Sequence, residues 1–330
     1  MSSMPHTDQI NVNLATRLGE VAVCFERALV NDLAPVNALT CHVERYRGKM
    51  LRPTLVLTTG MAVREGMVSS TSIDQQLNSL AAVVEMIHMS TLVHDDVLDE
   101  ADLRRGGATI NILRGNETAV MLGDFLISSS FHLCSSVGEP WLNSALGEMT
   151  TQLCAGEILQ LSHRGNLTLD EATYFDIVRR KTGVLAGACC GLAAKLAGAS
   201  ATVAESLRLY GEELGIAFQI QDDVLDLVGE EQIVGKTLGI DLRKGKFTLP
   251  IVVHLARCSL LERAETIAVI EACDAERLIR LVESTGALTA ARERARQLVE
   301  HAKGRLAVLS ESRARQMLVE IADAAIERTF

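Results

Sequence analysis

Two copies of one acidic motif lie within long apolar segments of this chain, and they restrict its fold more than any other feature. The first copy, Asp95-Asp96-Val97-Leu98-Asp99, ends an apolar segment that starts near Ser72. The second, Asp222-Asp223-Val224-Leu225-Asp226, ends a segment that starts near Val203. In a helix, the first and last aspartates of each copy lie one turn apart, with their Cβ atoms about 5–6 Å from each other. The fold must therefore hold like charges beside an apolar core, and we expect it to bring the two copies face to face.

Composition and periodicity predict an all-α chain. The 330 residues include only 5 prolines and 3% aromatic side chains, and runs typical of strands are scarce. Apolar residues recur every three or four positions from Ile10 to about Asn31, which is the period of an amphipathic helix. We expect residues 1–9 to be disordered. Residues 10–330 should form a single domain, because we find no linker that divides them.

Charge and cysteine content argue against some functions. The net charge of −10 argues against a general nucleic-acid binder. None of the 8 cysteines forms a Cys-x-x-Cys pair, so we expect buried, reduced thiols in a cytoplasmic protein, with a zinc or redox site as the less favoured alternative. The first residues lack the pattern of a signal or transit peptide. The apolar segment from Val184 to Ala204 contains Lys195 and much Gly and Ala, which favours a packed core helix over a membrane span.

The acidic motifs predict a magnesium site. Two carboxylates one turn apart repel each other by about 1 kcal/mol in water and by several at a protein-like dielectric. Mg²⁺ removes this repulsion, because it binds carboxylate oxygens together with waters and phosphate oxygens. A single motif is equally compatible with a solvated acidic helix face. Two motifs among Val, Leu and Ile favour metal binding, and the candidate ligands are Asp95, Asp96, Asp99, Asp222, Asp223 and Asp226.

Basic residues accompany both motifs in sequence. Lys49 and Arg52 lie in a break before a helix, and Arg104 and Arg105 directly follow the first motif. A glycine-rich stretch, 229–245, follows the second motif and is typical of a lid over phosphate groups. Each cationic segment alone is equally compatible with a solvated loop. Beside the carboxylates, they indicate a site in which a diphosphate leaves with its charge stabilised by metal and cations.

Polar residues on the apolar helix before the first motif also need an explanation, since a buried polar group costs free energy unless it is satisfied. These residues are Glu85, His88 and His94. His88 precedes Asp95 by two helical turns and therefore shares its face of the helix. A lone histidine there would more often be a satisfied core residue. Its alignment with the carboxylates favours a role in ligand binding.

With these motifs in this order, the chain resembles the trans-polyprenyl diphosphate synthases of the isoprenyl diphosphate synthase family. The resemblance covers about residues 48–328. The motifs that carry it are Gly48-Lys49-x-x-Arg52-Pro53, Asp95-Asp96-x-x-Asp99 with Arg104-Arg105-Gly106, Lys181-Thr182, Phe218-Gln219-x-x-Asp222-Asp223-x-x-Asp226 and Gly245-Lys246-x-Thr248-Leu249-Pro250. It implies the isoprenoid synthase fold, an all-α barrel of antiparallel helices around a deep cavity, usually in a homodimer.

The resemblance also implies the roles of single residues. Isopentenyl diphosphate would be bound by Lys49, Arg52, His88 and Arg105. The allylic diphosphate would be bound by Arg104, Lys181, Thr182, Gln219, Lys236 and Lys246. Of these, Lys181, Thr182 and Gln219 would act in catalysis, the oxygens of Thr182 and Gln219 by stabilising the carbocation. The direct Mg²⁺ ligands would be Asp95, Asp99 and Asp222, with Asp96, Asp223 and Asp226 in support.

Product length follows by the same resemblance. Bulky residues just before the first motif block the growing chain in the family, and this chain has the small Ser90 there. We therefore expect a long product such as octaprenyl diphosphate, shortened by Ser90→Phe, and a transient membrane contact for product release. A geranylgeranyl or farnesyl diphosphate synthase is the alternative. A terpene cyclase is less favoured because the second motif is a full Asp-Asp-x-x-Asp, and a non-catalytic subunit because no carboxylate is missing.

Overall fold

The computed structural model describes residues 6–43, 48–68, 70–228 and 240–327 and is almost entirely helical over these ranges. Within them, strand pairing is confined to a short antiparallel hairpin of β1 (Leu103–Arg104) and β2 (Gly107–Ala108). The prediction of an all-α chain is therefore confirmed.

The helices in the first half of the chain include the one that carries the first acidic motif. They are α1 (His6–Ala28), α2 (Ala34–Val43), α3 (Leu51–Val63), α4 (Thr71–Leu98), α5 (Ile110–Arg114), α6 (Asn116–Ser136) and α7 (Pro140–Ser162).

The helices in the second half include the one that carries the second motif. They are α8 (Glu171–Val178), a π-helical turn (Arg179–Gly183), α9 (Val184–Leu196), α10 (Ala201–Val228), α11 (Ile240–Arg243), α12 (Leu249–Arg257), α13 (Leu260–Glu271), α14 (Ala275–Ser284), α15 (Ala287–Arg305), a 3₁₀ turn (Leu306–Val308) and α16 (Arg313–Ile326).

Contacts between Cα atoms divide the chain into two compact units. The first unit comprises Met1–Glu148, Ala188–Arg208 and Ala307–Leu318, and the second comprises Met149–Gly187, Leu209–Leu306 and Val319–Phe330. Each unit contains one of the two acidic motifs. The prediction of a single domain over residues 10–330 stays a prediction, as does the expectation that the motifs face each other.

Helix α4 has a deeply buried middle in the first unit. It packs against α1, α3 and α6, and four consecutive residues, Ala81 to Val84, are fully buried. A helix that is apolar on every side is stable only when neighbours cover it on every side. The acidic motif at its C-terminal end is therefore supported by a tightly packed helix.

Helix α10 supports the second acidic motif in the same way in the second unit. Its residues Ile220, Val224 and Leu227 belong to a buried apolar cluster with Leu249 and Val252 of α12. Asp223 lies between two of these core positions along the helix. The second motif is thus attached directly to the core of its unit.

Several local predictions are wrong. The sequence Thr168-Leu169-Asp170-Glu171 has the spacing of a capping box, which predicts that Thr168 caps the next helix. This box does not form, because the N-cap of α8 is Asp170, whose carboxylate accepts the hydrogen bond from the Thr173 N–H at 2.7 Å. Residues 6–9, predicted to be disordered, belong to α1, whereas residues 1–5 lie outside the described residues. The cysteines Cys41, Cys154 and Cys273 are exposed, not buried.

The segment from Val184 to Ala204, predicted to be one packed core helix, consists of α9, a turn and the start of α10. No helix in the part of the chain that the structure describes is both long enough and apolar enough to cross a membrane.

Candidate active site

The first acidic motif occupies the last turn of α4. Asp95 is half-buried, and the half-buried Asp99 is the C-cap, whose N–H donates to the Asp95 carbonyl at 2.8 Å. Asp96 points elsewhere, with only 1% of its surface exposed. Its carboxylate accepts from Arg104 Nε at 2.9 Å and from Arg104 Nη2 at 2.7 Å. A bidentate, buried ion pair therefore ties the motif to the hairpin that follows it.

The hairpin between β1 and β2 presents Arg105. Arg105 and Gly106 form its two-residue turn with φ values of 50° and 76°, which is typical of a type I′ turn. Gly106 adopts this conformation easily, but Arg105 does so at a cost of about 1–2 kcal/mol. The Arg105 guanidinium lies against Gly48, where an added Cβ would stand 2.4 Å from Nη2. The turn thus brings Arg105 to the segment that carries Lys49.

A cationic cluster surrounds His88 on α4. Burial, and then the charges of Arg52, Arg104 and Arg105, lower the pKa of His88 well below its usual value. His88 is therefore a neutral imidazole at pH 7. Burial and the neighbouring Arg104 also lower the pKa of Arg105, whereas Glu85 opposes this shift.

This cluster contains most of the residues predicted to bind isopentenyl diphosphate. Arg52, His88 and Arg105 lie within electrostatic reach of one another, and the segment with Lys49 contacts Arg105. Lys49 itself is exposed. Glu85, three residues before His88, has only 2% of its surface exposed and contributes a negative charge. The cluster is suited to an anion with more than one charge.

Ser90 lies inside the contact between α4 and α6. Its side chain is fully buried, and its hydroxyl donates to the Gly123 carbonyl at 2.9 Å. The approach is close, since a Cβ on Gly123 would stand 2.2 Å from His94 Nε2. The small size of Ser90 is therefore used in helix packing. Its role in product length stays a prediction.

In the second unit, Asp223 has protein donors on both carboxylate oxygens. Oδ2 accepts from the Tyr174 hydroxyl at 2.5 Å, and Oδ1 accepts from Gln219 Nε2 at 2.9 Å. Only 5% of Asp223 is exposed. Burial first, and the charge of Asp241 second, raise the pKa of Asp223 to about 8 despite these two hydrogen bonds. Asp222 and Asp226 are half-buried on the same helix.

Lys181 and Thr182 reach the same region from the π-helical turn. Thr182 Oγ1 donates to Gln219 Oε1 at 3.0 Å. Lys181 Nζ donates to Gln160 Oε1 at 2.9 Å and pairs with Glu157. The predicted catalytic trio of Lys181, Thr182 and Gln219 is therefore brought together, although its role in catalysis is untested.

A cavity of about 100 Å³ joins these residues in the second unit. Lys181, Thr182, Gln219, Asp223 and Lys246 all line it. Lys246 is mostly buried, and its N–H donates to the Asp241 carbonyl at 2.8 Å. The predicted partner of Lys246, Lys236, lies outside the described residues.

Tyr174 and Asp241 also line this cavity, and the sequence interpretation missed both. Tyr174 is one apolar-face position in an amphipathic helix, and nothing in the sequence separates it from a core aromatic. Asp241 lies in the stretch predicted to be a lid, and its N–H donates to Asp226 Oδ2 at 3.3 Å. A carboxylate within a basic loop that follows an acidic motif is the only signal for it.

The acidic residues fit a divalent cation that the substrate helps to bind. No group of three or more His, Cys, Asp or Glu side chains among the described residues could hold a metal ion. Asp96 and Asp223 are occupied by protein donors, which fits their predicted supporting role. All six motif carboxylates are hard oxygen donors, and Mg²⁺ characteristically uses one or two carboxylates with waters and substrate phosphates.

Comparison with known proteins identifies the family. A family profile described as Polyprenyl synthetase matches residues 35–283. The chain is 36% identical to the geranylgeranyl pyrophosphate synthase of Geoglobus acetivorans over 292 residues, covering 87% of this chain and 89% of that protein. It is 32% identical to the octaprenyl diphosphate synthase of Escherichia coli strain K12 over 327 residues, covering 97% and 98%.

A solved structure gives the same result for the fold. The polyprenyl synthase from Caulobacter crescentus CB15, complexed with calcium and isoprenyl diphosphate, matches with a TM-score of 0.88 at 32% identity, covering 99% of each chain. The chain belongs to the Polyprenyl synthetase family: it is a prenyltransferase of isoprenoid biosynthesis with the all-α isoprenoid synthase fold. The family resemblance drawn from the sequence is thus confirmed. The names of its relatives cover products of different length.

Proposed function

We propose that this protein is a Mg²⁺-dependent trans-polyprenyl diphosphate synthase. It condenses isopentenyl diphosphate with an allylic diphosphate and extends the product in trans to a long, octaprenyl-like chain, releasing diphosphate at each step. The observation that carries the proposal is the pair of Asp-Asp-x-x-Asp motifs, each beside lysine or arginine side chains in its own unit.

The cluster around His88 is the proposed site for isopentenyl diphosphate. Arg52 and Arg105, with Lys49, would balance the charge of the diphosphate. Neutral His88 would donate one ring N–H to a phosphate oxygen. Arg105 is suited to this position because its turn directs the guanidinium toward the Lys49 segment.

The cavity with Lys181 and Lys246 is the proposed site for the allylic diphosphate, together with Lys236 and Arg104. Mg²⁺, held by Asp95, Asp99 and Asp222 with support from Asp226, would neutralise charge on the leaving diphosphate. The allylic C1–O bond breaks and its electron pair stays on the diphosphate. The oxygens of Thr182 and Gln219 stabilise the resulting carbocation. The double bond of isopentenyl diphosphate then attacks C1, and the departing diphosphate takes the proton that is lost.

Product length is the finer part of the proposal. A long product rests on the small Ser90 and on a first motif with two residues, not four, before its last aspartate. The relatives include both geranylgeranyl and octaprenyl synthases. A geranylgeranyl or farnesyl product is therefore the alternative. Ser90→Phe tests the tunnel, with Ser90→Ala as the control that loses only the hydrogen bond to Gly123.

The proposal extends to partners and location. A homodimer is supported by apolar side chains exposed on the first unit, among them Leu103, Ile112 and Met121. The net charge of −10 supports the absence of nucleic acid from the partners. We also propose a cytoplasmic location, with a transient membrane contact when the lipophilic product is released.

The experiment that tests the proposal is incubation with farnesyl diphosphate, labelled isopentenyl diphosphate and Mg²⁺, with products separated by length. We expect one long product, none in EDTA, and at least a hundredfold loss for Asp95→Asn or Asp222→Asn. The exposed Asp32→Asn is the matched control and should be fully active. One addition only would support the short-chain alternative, and no incorporation with any allylic starter would refute prenyl chain elongation.

A further inference from the structure

We propose that Tyr174 is a positioning residue of the active site. Its hydroxyl fixes the carboxylate of Asp223 and, through Gln219, sets the direction in which the oxygens of Gln219 and Thr182 point. The role rests on the proposed prenyl transfer, because it concerns the oxygens assigned to stabilise the carbocation.

The Tyr174 hydroxyl is held by two hydrogen bonds. It donates to Asp223 Oδ2 at 2.5 Å and accepts from the N–H of Leu249, the first residue of α12. The first N–H groups of a helix have no acceptor within the helix, so the hydroxyl satisfies one of them. The ring is 4% exposed and packs edge-on against Phe175, with 5.6 Å between the ring centroids. The hydroxyl therefore has one defined orientation.

The chemistry of the donors determines the orientation of the next group. Asp223 Oδ1 accepts the hydrogen bond from the amide nitrogen of Gln219 at 2.9 Å, which leaves the amide oxygen for the other neighbour of Gln219. The amide oxygen of Gln219 then faces Thr182 and accepts its hydroxyl proton at 3.0 Å. Because this proton is committed to Gln219, Thr182 can offer only lone pairs to any other group. Lone pairs are what a developing carbocation requires.

Without the Tyr174 hydroxyl, nothing holds the Gln219 amide and the Thr182 hydroxyl in these orientations. Asp223 Oδ2 would lose a donor in a buried place, and the carboxylate would turn toward another one. Gln219 could then rotate its amide and present N–H groups to Thr182. The same substitution frees the N–H of Leu249, three residues after Lys246, which lines the same cavity. Tyr174 thus connects α8, α10 and the segment that carries Lys246.

The test compares Tyr174→Phe with wild type and with Tyr210→Phe, a matched loss of a hydroxyl from a fully buried tyrosine of a different helix, α10. We expect Tyr174→Phe to lower kcat at least tenfold. KM for isopentenyl diphosphate should stay within twofold, because its proposed ligands are not members of this hydrogen-bond chain. Tyr210→Phe should keep kcat within twofold even if its melting temperature falls.

A double-mutant cycle with Thr182→Val separates positioning from general stability. If Tyr174 acts through Thr182, the double variant loses about as much kcat as the more damaging single variant. If the double variant loses kcat by the product of the two single losses, the proposal is overturned. It is also overturned if Tyr174→Phe lowers the melting temperature and leaves kcat unchanged. An inactive wild-type protein would instead refute the proposed function, and the role of Tyr174 with it.

A second pair of variants keeps the test decisive if Tyr174→Phe does not fold. Asp223→Asn retains Tyr174 and the shape of the side chain at position 223. The amide nitrogen of the new asparagine, however, forces Gln219 to turn its amide oxygen toward position 223. Thr182→Val should then cost no further activity in that background. The proposal would be overturned if Thr182→Val lowered kcat by the same factor in the wild-type protein and in the Asp223→Asn protein.

Discussion

Among single residues, Arg105 has the least favourable backbone conformation for its side chain. Its φ of 50° places it in the left-handed region, next to a glycine that occupies the same region freely. Its guanidinium also lies beside the like charge of Arg104. Both effects destabilise the folded protein. The contact of the Arg105 guanidinium with Gly48 therefore accounts for the presence of an arginine at this position. Strained residues of this kind concentrate at functional sites.

We predict that Arg105→Gly separates stability from binding. Removing the strain and the repulsion should leave the free energy of unfolding unchanged or raise it by about 1 kcal/mol. KM for isopentenyl diphosphate should rise about tenfold or more, since a charged hydrogen bond is lost. Denaturant unfolding and steady-state kinetics measure the two effects.

Arg114→Ala is the control for Arg105→Gly, because Arg114 is an exposed arginine at the end of α5. It should alter neither quantity. A fall in stability with unchanged KM in Arg105→Gly would contradict the assignment of Arg105 to the substrate.

Among the elements, the π-helical turn Arg179–Gly183 determines where Lys181 and Thr182 lie. Glycines allow its backbone to approach two neighbouring helices. A Cβ on Gly156 of α7 would stand 2.6 Å from Arg180 Cβ and 3.0 Å from the Lys181 nitrogen. A Cβ on Gly215 of α10 would stand 3.0 Å from Gly183 Cα. Single π-turns inside helices occur frequently at functional sites, and here the turn breaks the α-helical register beside two predicted catalytic residues.

We predict that Gly156→Ala impairs the active site through this contact. The added methyl group meets backbone atoms that cannot swing away, so it should cost about 1–3 kcal/mol of stability. It should also lower kcat by shifting Lys181 and Thr182. Kinetics at a temperature where the variant is folded separate the two effects.

Gly147→Ala, on the same helix, provides the comparison. Nothing lies within 4 Å of its added Cβ, so the substitution should leave kcat unchanged and stabilise the helix by about 0.5–1 kcal/mol. Equal effects of the two substitutions would show that the contact with the π-helical turn is unimportant.

For the whole molecule, the fully buried His254 and the half-buried His88 link stability to pH. His254 on α12 is fully buried, and its ring nitrogens contact Thr266 Oγ1 at 2.8 Å and Thr285 Oγ1 at 2.9 Å. Thr266 donates its own proton to the Glu262 carbonyl, so it accepts from the His254 ring. Burial lowers the pKa of His254, and the charge of Glu262 opposes this shift. Burial lowers the pKa of His88 well below its usual value.

The sign of the pH effect follows from these lowered pKa values. Below about pH 6.5, the usual histidine pKa, the unfolded chain binds protons that the folded protein does not. The contribution of these histidines to the free energy of unfolding should therefore be constant above this pH and decrease below it, by up to about 1.4 kcal/mol per pH unit for each histidine. We predict that His254→Gln reduces this slope, measured by denaturant unfolding between pH 5 and 8. The exposed His132→Gln should not change it, and an unaltered slope in His254→Gln would contradict the prediction.

Much of the protein was predictable from the sequence because its signals are local. Helix α4 was predicted to within a residue at each end, since a long apolar period and a following turn need no knowledge of distant contacts. The motif spacing likewise indicated the family. The capping box at Thr168 failed because two neighbouring side chains compete for one helix start, and the sequence does not say which accepts the hydrogen bond.

The sequence alone therefore determined the helical fold class, the family and the chemical types available at the site. Periodicity and residue type are properties of short segments, and they persist in any fold the chain adopts. Only the tertiary structure decided that Asp96 is bound by Arg104, that Ser90 is used in packing against Gly123, and that Tyr174 holds Asp223. These contacts join residues that the sequence separates, and burial then fixes which donor meets which acceptor, because an unpaired polar group inside the protein costs too much free energy.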